Sequence, residues 1–91
     1  MQKYQLPHHL TFNNIKVVYQ EVVALIHQGD ALEISFDYID TPNTLCSAFI
    51  LACIKVSKAH HKKIFFVHVP KGVFVLLEHQ DLISVVEGYC S

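Results

Sequence analysis

Basic clusters, glycine and long apolar runs are all scarce in this 91-residue chain. The longest basic run is the pair Lys62-Lys63, and the formal net charge is −1 with histidine neutral. Because a nucleic-acid-binding surface needs a basic stripe or patch, we expect no binding to DNA or RNA. The three glycines stand apart from one another, so the chain has no glycine-rich phosphate loop and we expect no tight nucleotide binding.

Cysteine is too sparse and too irregularly spaced to form a disulfide framework. An odd count of three without paired spacing is typical of reduced thiols, here Cys46, Cys53 and Cys90. The longest apolar stretch, residues 45–56, is shorter than the roughly 20 residues that cross a bilayer. Residues 1–12 lack the apolar segment of a signal peptide. We therefore expect a cytoplasmic protein that does not insert directly into a membrane.

Catalytic and metal-binding motifs are also missing from the sequence. Histidine occurs as the adjacent pairs His8-His9 and His60-His61, whose side chains would diverge on a strand or a helix. No H-E-x-x-H or C-x-x-C spacing accompanies them. Asp40 beside Thr41 is not a nucleophile and base, because an unperturbed carboxylate is a poor base for an alcohol. We therefore expect no metal, no cofactor and no enzymatic activity.

Hydrophobic patterning predicts one α/β domain over residues 1–91. A hydrophobic fraction of 52% against 16% charged residues is sufficient for a core. Strand-like segments alternate with helix-like ones, as in sheets joined by right-handed crossovers. The predicted strands are residues 3–6, 31–36 and 64–69. The predicted helices run from a cap at Thr11 or Asn13 to Gly29, over residues 43–60, and from Val73 to Gln80, with residues 82–86 as a last turn or small strand.

The turn between the second strand and the second helix is the most informative segment. Residues 40–45 have the sequence Asp-Thr-Pro-Asn-Thr-Leu. They place an acid, a hydroxyl and an amide at the start of a helix, where the backbone N–H groups have no partner within the helix. A hydroxyl there can cap the helix, carry a phosphate or contact a partner. A purely structural role would also explain these residues. Asp40 would then stabilise the helix N-terminus by about 0.3–1 kcal/mol, and Thr41 would be the N-cap.

The second helix is apolar around most of its circumference. With Leu45 as the reference, Ala48, Phe49, Ala52 and Val56 are predicted to face the sheet. Ile54 then lies opposite, flanked by Ile50 and Leu51, with Asn43 and Ser47 nearby. Exposed aliphatic side chains beside polar ones predict a contact surface for a partner. The alternative is that another helix of the same fold covers this side.

Three segments share the order and spacing of one known domain family. Residues 10–15, Leu-Thr-Phe-Asn-Asn-Ile, resemble its approach to the first helix. Residues 36–45 resemble its hallmark strand, acid, Ser or Thr, any residue, glycine and apolar residue. Residues 64–70, then Leu76-Leu77-Glu78 and Asp81-Leu82, resemble its late strand and short helix. Together, over nearly the whole chain, these segments resemble the STAS domain family of anti-sigma-factor antagonists and small bacterial transport regulators.

The resemblance implies a mixed sheet of about four strands with helices packed largely on one face. It also implies that Thr41, the hydroxyl residue after the acid Asp40, lies at the partner-facing start of the second helix. The sequence departs from the family at Asn43, where glycine is usual, although asparagine tolerates turn conformations well. The partner-binding residues that we predict are Asp40, Thr41, Asn43, Thr44, Ser47, Ile50, Leu51 and Ile54.

Two functions follow from the resemblance. In the MlaB-like branch, this region holds the ATPase subunit of a phospholipid ABC transporter, so the protein would act at the inner face of the inner membrane through its partner. In the anti-sigma branch, a partner kinase phosphorylates the residue equivalent to Thr41, and the added charge releases the partner. Threonine at position 41, asparagine at position 43 and the expected aliphatic surface favour the first function.

Overall fold

The computed structural model describes residues 1–90, in which three strands alternate with three helices and a short fourth helix follows. The strands are β1 (Gln2–Gln5), β2 (Ala31–Ser35) and β3 (Lys63–Val67). The helices are α1 (Ile15–Gln28), α2 (Thr44–Ala59), α3 (Lys71–His79) and the short α4 (Ile83–Val86). The α/β fold class is confirmed, and each predicted strand and helix is found within a few residues of its expected bounds.

The three strands form a parallel sheet in the order β1-β2-β3. Leu32 lies opposite Ile64 and Ile34 opposite Phe66, and all four side chains are buried. Phe65, which lies between Ile64 and Phe66 on β3, is exposed. Successive crossovers of the usual right hand place consecutive helices on the same face of a sheet. Helices α1 and α2, which form the two crossovers, therefore cover the face that carries Leu32 and Ile64.

The sheet differs from the predicted mixed sheet of about four strands, because residues 1–90 contain three strands and all pair in parallel. Residues 82–86, which we assigned to a last turn or small strand, form the single turn of α4. After α4 the chain returns to β3 at one point, where the Phe66 N–H donates to the Tyr89 carbonyl oxygen at 2.7 Å. Cys90 forms an isolated parallel bridge to Phe66 rather than a strand.

Helix α1 follows the predicted apolar pattern. Val18, Val22 and Ile26 are buried, and Ile15, Tyr19 and Leu25 pack partly against the core. At its start, the Asn14 N–H donates to the Thr11 Oγ at 3.2 Å, while the Thr11 N–H donates to the Asn14 Oδ1 at 2.9 Å. Thr11 thus stabilises the turn that leads into α1, one turn ahead of the helix itself.

Left-handed backbone occurs at the ends of α2 and α3. His61 has φ 55° and Asp81 has φ 56°. After α2, the Lys62 N–H donates to the Ser57 carbonyl oxygen at 2.8 Å and the His61 N–H to that of Lys58 at 3.2 Å. These paired bonds define a Schellman motif, which glycine usually completes. Gly29, at which α1 was predicted to end, is the C-cap of α1, but its backbone is extended rather than left-handed, with φ −141°.

Among residues 1–90, no helix combines the length and the apolar character that crossing a membrane requires.

Candidate functional site

The predicted turn lies at the carboxyl edge of the sheet, where β1 and β2 both end. Parallel strands end at the same edge, so the loop after β1 meets the loop after β2. The Asp40 N–H donates to the His8 carbonyl oxygen at 3.0 Å, which joins the two loops through their backbones. The buried side chain of Ile39 anchors the second loop to the core, while Asp40 and Thr41 remain exposed.

Asp40 is the centre of a small polar cluster on this edge. Its Oδ2 lies 3.3 Å from the Nδ1 of His8 and 4.0 Å from the Nε2 of His9. The His8 ring stacks on Tyr38, with centroids 5.4 Å apart and an angle of 10° between the ring planes. The adjacent histidines approach one carboxylate because they occupy a loop, where the divergence expected on a strand or helix does not apply. No local sequence pattern brings His8, Tyr38 and Asp40 together, so this cluster was not predicted.

Thr41 is exposed, and the residues on either side of it, Asp40 and Pro42, are held in place by contacts with other segments. Within residues 1–90 its hydroxyl group makes no side-chain hydrogen bond, and a bend in the backbone directs the chain toward α2. Pro42 packs against α3, since a Cβ placed on Gly72 would lie only 3.0 Å from the Pro42 Cγ. The Thr41 side chain is therefore accessible on a loop that the surrounding structure holds in place.

Asn43, and not Thr41, is the N-cap of α2. Its Oδ1 accepts a hydrogen bond from the Leu45 N–H at 2.9 Å, which satisfies one free donor of the first turn. Its Nδ2 donates to the Leu10 carbonyl oxygen at 3.0 Å and so ties the cap to the loop after β1. A glycine could make neither bond. Asn43 therefore holds the site together, and its half-buried amide has little surface left for a partner.

The predicted orientation of α2 is wrong. Ser47, Ile50 and Ile54, which we expected to face a partner, are 1%, 0% and 3% exposed, and Leu51 is half-buried. The physical reason is that α2 lies between α1 and α3 and also covers β3, so three sides of the helix are buried. The prediction assumed that only one side of α2 is buried. The alternative that other helices of the same fold cover this surface is the one found.

The serines of α2 are buried, which explains why its polar positions gave a wrong prediction of the exposed side of the helix. The Ser47 Oγ donates to the Thr44 carbonyl oxygen and the Ser57 Oγ to the Ile54 carbonyl oxygen, both at 2.9 Å. A serine bonded in this way to its own helix needs no water and can face the core. Serine was therefore a poor marker of the outer side of this helix.

The outer side of α2 consists of small and basic side chains. Thr44, Ala48 and Lys55 are exposed and Ala52 is half-buried, at spacings that place them on one stripe. Between this stripe and α1 lies an open groove of about 300 Å³. Its lining is almost entirely apolar and consists of Ile15, Lys16, Tyr19, Ala48, Phe49 and Ala52.

The remaining histidines and the thiols form no recognisable chemical centre. Within residues 1–90, no three His, Cys, Asp or Glu side chains are placed to hold a metal ion together. His27 and His60 meet edge to face with ring centroids 4.3 Å apart, where α1 and α2 end. Burial raises the pKa of the Cys53 thiol far above its usual range and that of Cys90 to about 11. Protonated thiols are weak nucleophiles.

Comparison with known sequences gives no family assignment. No protein-family model matches this chain, and a search of curated proteins finds no match either. The resemblance to STAS domains therefore depends on the residues quoted above.

Proposed function

We propose that the chain is a STAS-like domain that acts as an MlaB-like regulatory subunit. Its partner would be the cytoplasmic ATPase of a phospholipid ABC transporter that maintains the lipid asymmetry of an outer membrane. The subunit would stabilise the ATPase and promote its activity without taking part in chemistry. It would lie in the cytoplasm, at the inner face of the inner membrane, through contact with that ATPase.

The observation that carries this proposal is the exposed Asp40-Thr41 turn at the start of α2. The hydrogen bond from the Asp40 N–H to the His8 carbonyl oxygen and the Asn43 cap fix the turn from both sides. A turn fixed before binding loses little conformational entropy when a partner docks. The STAS resemblance gives this turn the role of partner contact, and the apolar groove beside Thr44 extends the available surface.

Two features of the fold support a STAS-like architecture. Helices and strands alternate in the expected order, with the acid and hydroxyl at the carboxyl edge of the sheet. The bridge of Cys90 to Phe66 occupies the position where a fourth strand would pair beside β3. Among the described residues the sheet has three strands, and a single bridge is found where the fourth strand of the family would lie.

The contact residues of the proposal differ from those predicted at first. Buried Ser47, Ile50 and Ile54 cannot touch a partner unless α2 leaves the core, and Asn43 serves as a cap. The proposed contact surface consists of Asp40, Thr41, Thr44, Leu51, Ala48 and Ala52.

The second candidate is an anti-sigma-factor antagonist switched by phosphorylation of Thr41. The exposure of Thr41 favours it, since a kinase needs an accessible hydroxyl group. A phosphate adds about 1.5–2 negative charges, which a helix N-terminus stabilises. The neighbouring Asp40 carboxylate would repel that phosphate. This repulsion makes the transporter subunit the first choice.

Substitution of Thr44 with arginine tests partner binding. Thr44 is exposed in the first turn of α2, so the melting temperature should change little. Co-purification of the transporter ATPase from the native cell should be lost, because the arginine is too large for a closely packed contact. Val75→Arg on the exposed side of α3 is the matched control and should retain the ATPase. If Thr44→Arg retains the ATPase as well, the contact surface is elsewhere.

Thr41→Val separates the two candidate functions. The variant keeps the side-chain shape but cannot be phosphorylated. A transporter subunit should bind its ATPase less tightly by about 0.5–1.5 kcal/mol, the usual value of one hydrogen bond. A phosphoswitch should bind its partner constitutively. Phosphothreonine at position 41 in protein from the native cell, detected by mass spectrometry, together with constitutive binding of the variant, would favour the anti-sigma function.

A further inference from the structure

We infer that the groove between α1 and α2 binds an amphipathic helix whose apolar stripe is flanked by acidic side chains. The helix would come from the partner protein, so the inference rests on the proposed partner-binding function and adds the chemistry of the bound segment. The groove lies next to the Asp40-Thr41 turn. Its apolar residues are ones that the sequence pattern predicted to be buried in the core.

The floor of the groove is apolar and shallow. Ile15 and Tyr19 form one wall, and Ala48 and Ala52 form the other, above the buried ring of Phe49. Small side chains on a helix let the backbone of a neighbouring helix approach closely, and helices pack with their axes about 8–10 Å apart. A third helix can therefore lie along the groove with its large apolar residues over the two alanines.

A large aromatic side chain is exposed in the turn before α1. Phe12 is 88% exposed in the turn that precedes Ile15 by three residues. A bound helix that extended past Ile15 would cover this ring.

The charges around the groove are of one sign. Lys16 is part of the lining, and Lys55 lies on the same stripe of α2 as Ala48 and Ala52. Helix α2 contains neither aspartate nor glutamate. The one acid of α1, Glu21, accepts a hydrogen bond from the Tyr4 hydroxyl at 2.6 Å. Tyr4 is on the edge strand β1, so this carboxylate is held on the far side of α1 from the groove.

The ends of the groove do not reverse this charge pattern. At the far end, the His27–His60 pair adds two titratable but not acidic groups. At the near end, the Asp40 carboxylate lies 3.3 Å from the His8 Nδ1 and is not part of the groove lining. Acidic side chains flanking the stripe of a bound helix would thus meet Lys16 on one side and Lys55 on the other, with no carboxylate in the lining of the groove. A second copy of this chain would bring lysines against lysines, which disfavours self-association through the groove.

The probe for the test is a synthetic 18-residue peptide with leucine at helical spacing and glutamate on both flanks. Its control has every glutamate replaced by lysine. Fluorescence anisotropy with the full chain at low salt should show saturable binding of the acidic peptide and at least tenfold weaker binding of the basic one. Binding should weaken as salt is added, because exposed ion pairs are screened.

Two variants locate the binding site. Ala48→Trp fills the groove and should weaken peptide binding by more than tenfold with an unchanged circular dichroism spectrum. The double variant Lys16→Glu/Lys55→Glu should weaken it about threefold to thirtyfold and favour the basic peptide, given the usual strength of exposed ion pairs. Lys71→Glu, at the start of α3 and outside the groove, is the matched control and should bind as the unchanged protein does.

Several results would overturn the inference. Equal binding of both peptides, binding that Ala48→Trp leaves intact, or no binding at all would each do so. Concentration-dependent dimerisation that Ala48→Trp abolishes would assign the groove to a second copy instead. Co-sedimentation with anionic phospholipid vesicles without peptide binding would assign it to a membrane surface. If Thr44→Arg abolishes ATPase co-purification while the peptide fails to bind, this inference fails alone. If the peptide binds but no ATPase co-purifies, the proposed function fails alone.

Discussion

Replacement of Ile54 with alanine tests the orientation of α2, on which the choice of contact surface depends. Ile54 is 3% exposed, and the substitution removes three carbon atoms from the core. At about 0.8 kcal/mol for each buried methylene group, the loss of transfer free energy is about 2.4 kcal/mol. The cavity left behind raises the total, and Ile-to-Ala changes in cores usually cost about 2–5 kcal/mol.

This loss is large for a domain of 91 residues. Domains of this length are stable by about 5–14 kcal/mol, so the variant should lose a substantial part of its free energy of unfolding. Each kcal/mol shifts the melting temperature of such a domain by about 4–8 °C, so the loss of about 2.4 kcal/mol of transfer free energy alone predicts a decrease of about 10–20 °C. Urea and thermal unfolding followed by circular dichroism would measure both quantities.

The control is Val17→Ala, also a shortened aliphatic side chain. Val17 is 55% exposed on α1, so the free energy of unfolding should change by less than about 0.5 kcal/mol. A loss below about 1 kcal/mol for Ile54→Ala, or equal losses for the two variants, would refute the burial of Ile54. It would also restore the first expectation that Ile54 faces a partner.

Three other substitutions and conditions test particular features of the fold. His61→Gly should stabilise the protein by about 1 kcal/mol in urea unfolding, because glycine adopts the left-handed conformation at φ 55° without steric cost; an unchanged or lower midpoint would contradict that conformation. Asn43→Ala should cost about 1–2 kcal/mol through loss of the cap and of the bond to the Leu10 carbonyl, whereas Thr41→Ala should cost little. The pKa of the Cys46, Cys53 and Cys90 thiols is raised by burial, so the unfolded chain loses these protons first and stability should fall above about pH 8.5. Replacement of all three with alanine should flatten the profile between about pH 8.5 and 10, and a persistent slope in that range would assign it to other groups.

The order of strands and helices was predictable from local patterns. Apolar spacing in residues 15–28 gives one buried stripe, because α1 packs along a single side. The exposed turn at Asp40 and Thr41 was predictable too, since a proline and polar residues follow a strand and precede a long apolar segment. The lack of any motif for metal or phosphate binding is likewise a property of the sequence alone.

The orientation of α2 depended on tertiary structure. A helix covered on three sides has no single apolar stripe, so periodicity could not decide whether Ile54 or Ala48 faces outward. Ser47 looked like a surface residue, but its hydroxyl is satisfied by the backbone of its own helix. The groove, its lysines and the distant Glu21 could be seen only once α1 and α2 were placed side by side.

The function of Asn43 and the polar cluster at Asp40 also depended on contacts between distant segments. The sequence marks Asn43 as a departure from the glycine of the STAS pattern, yet the bond to Leu10 joins residues 33 positions apart. His8 reaches Asp40 only because parallel strands end at the same edge of the sheet. Local propensity sets which segments form helices and strands, whereas packing between segments decides which side of each remains available to a partner.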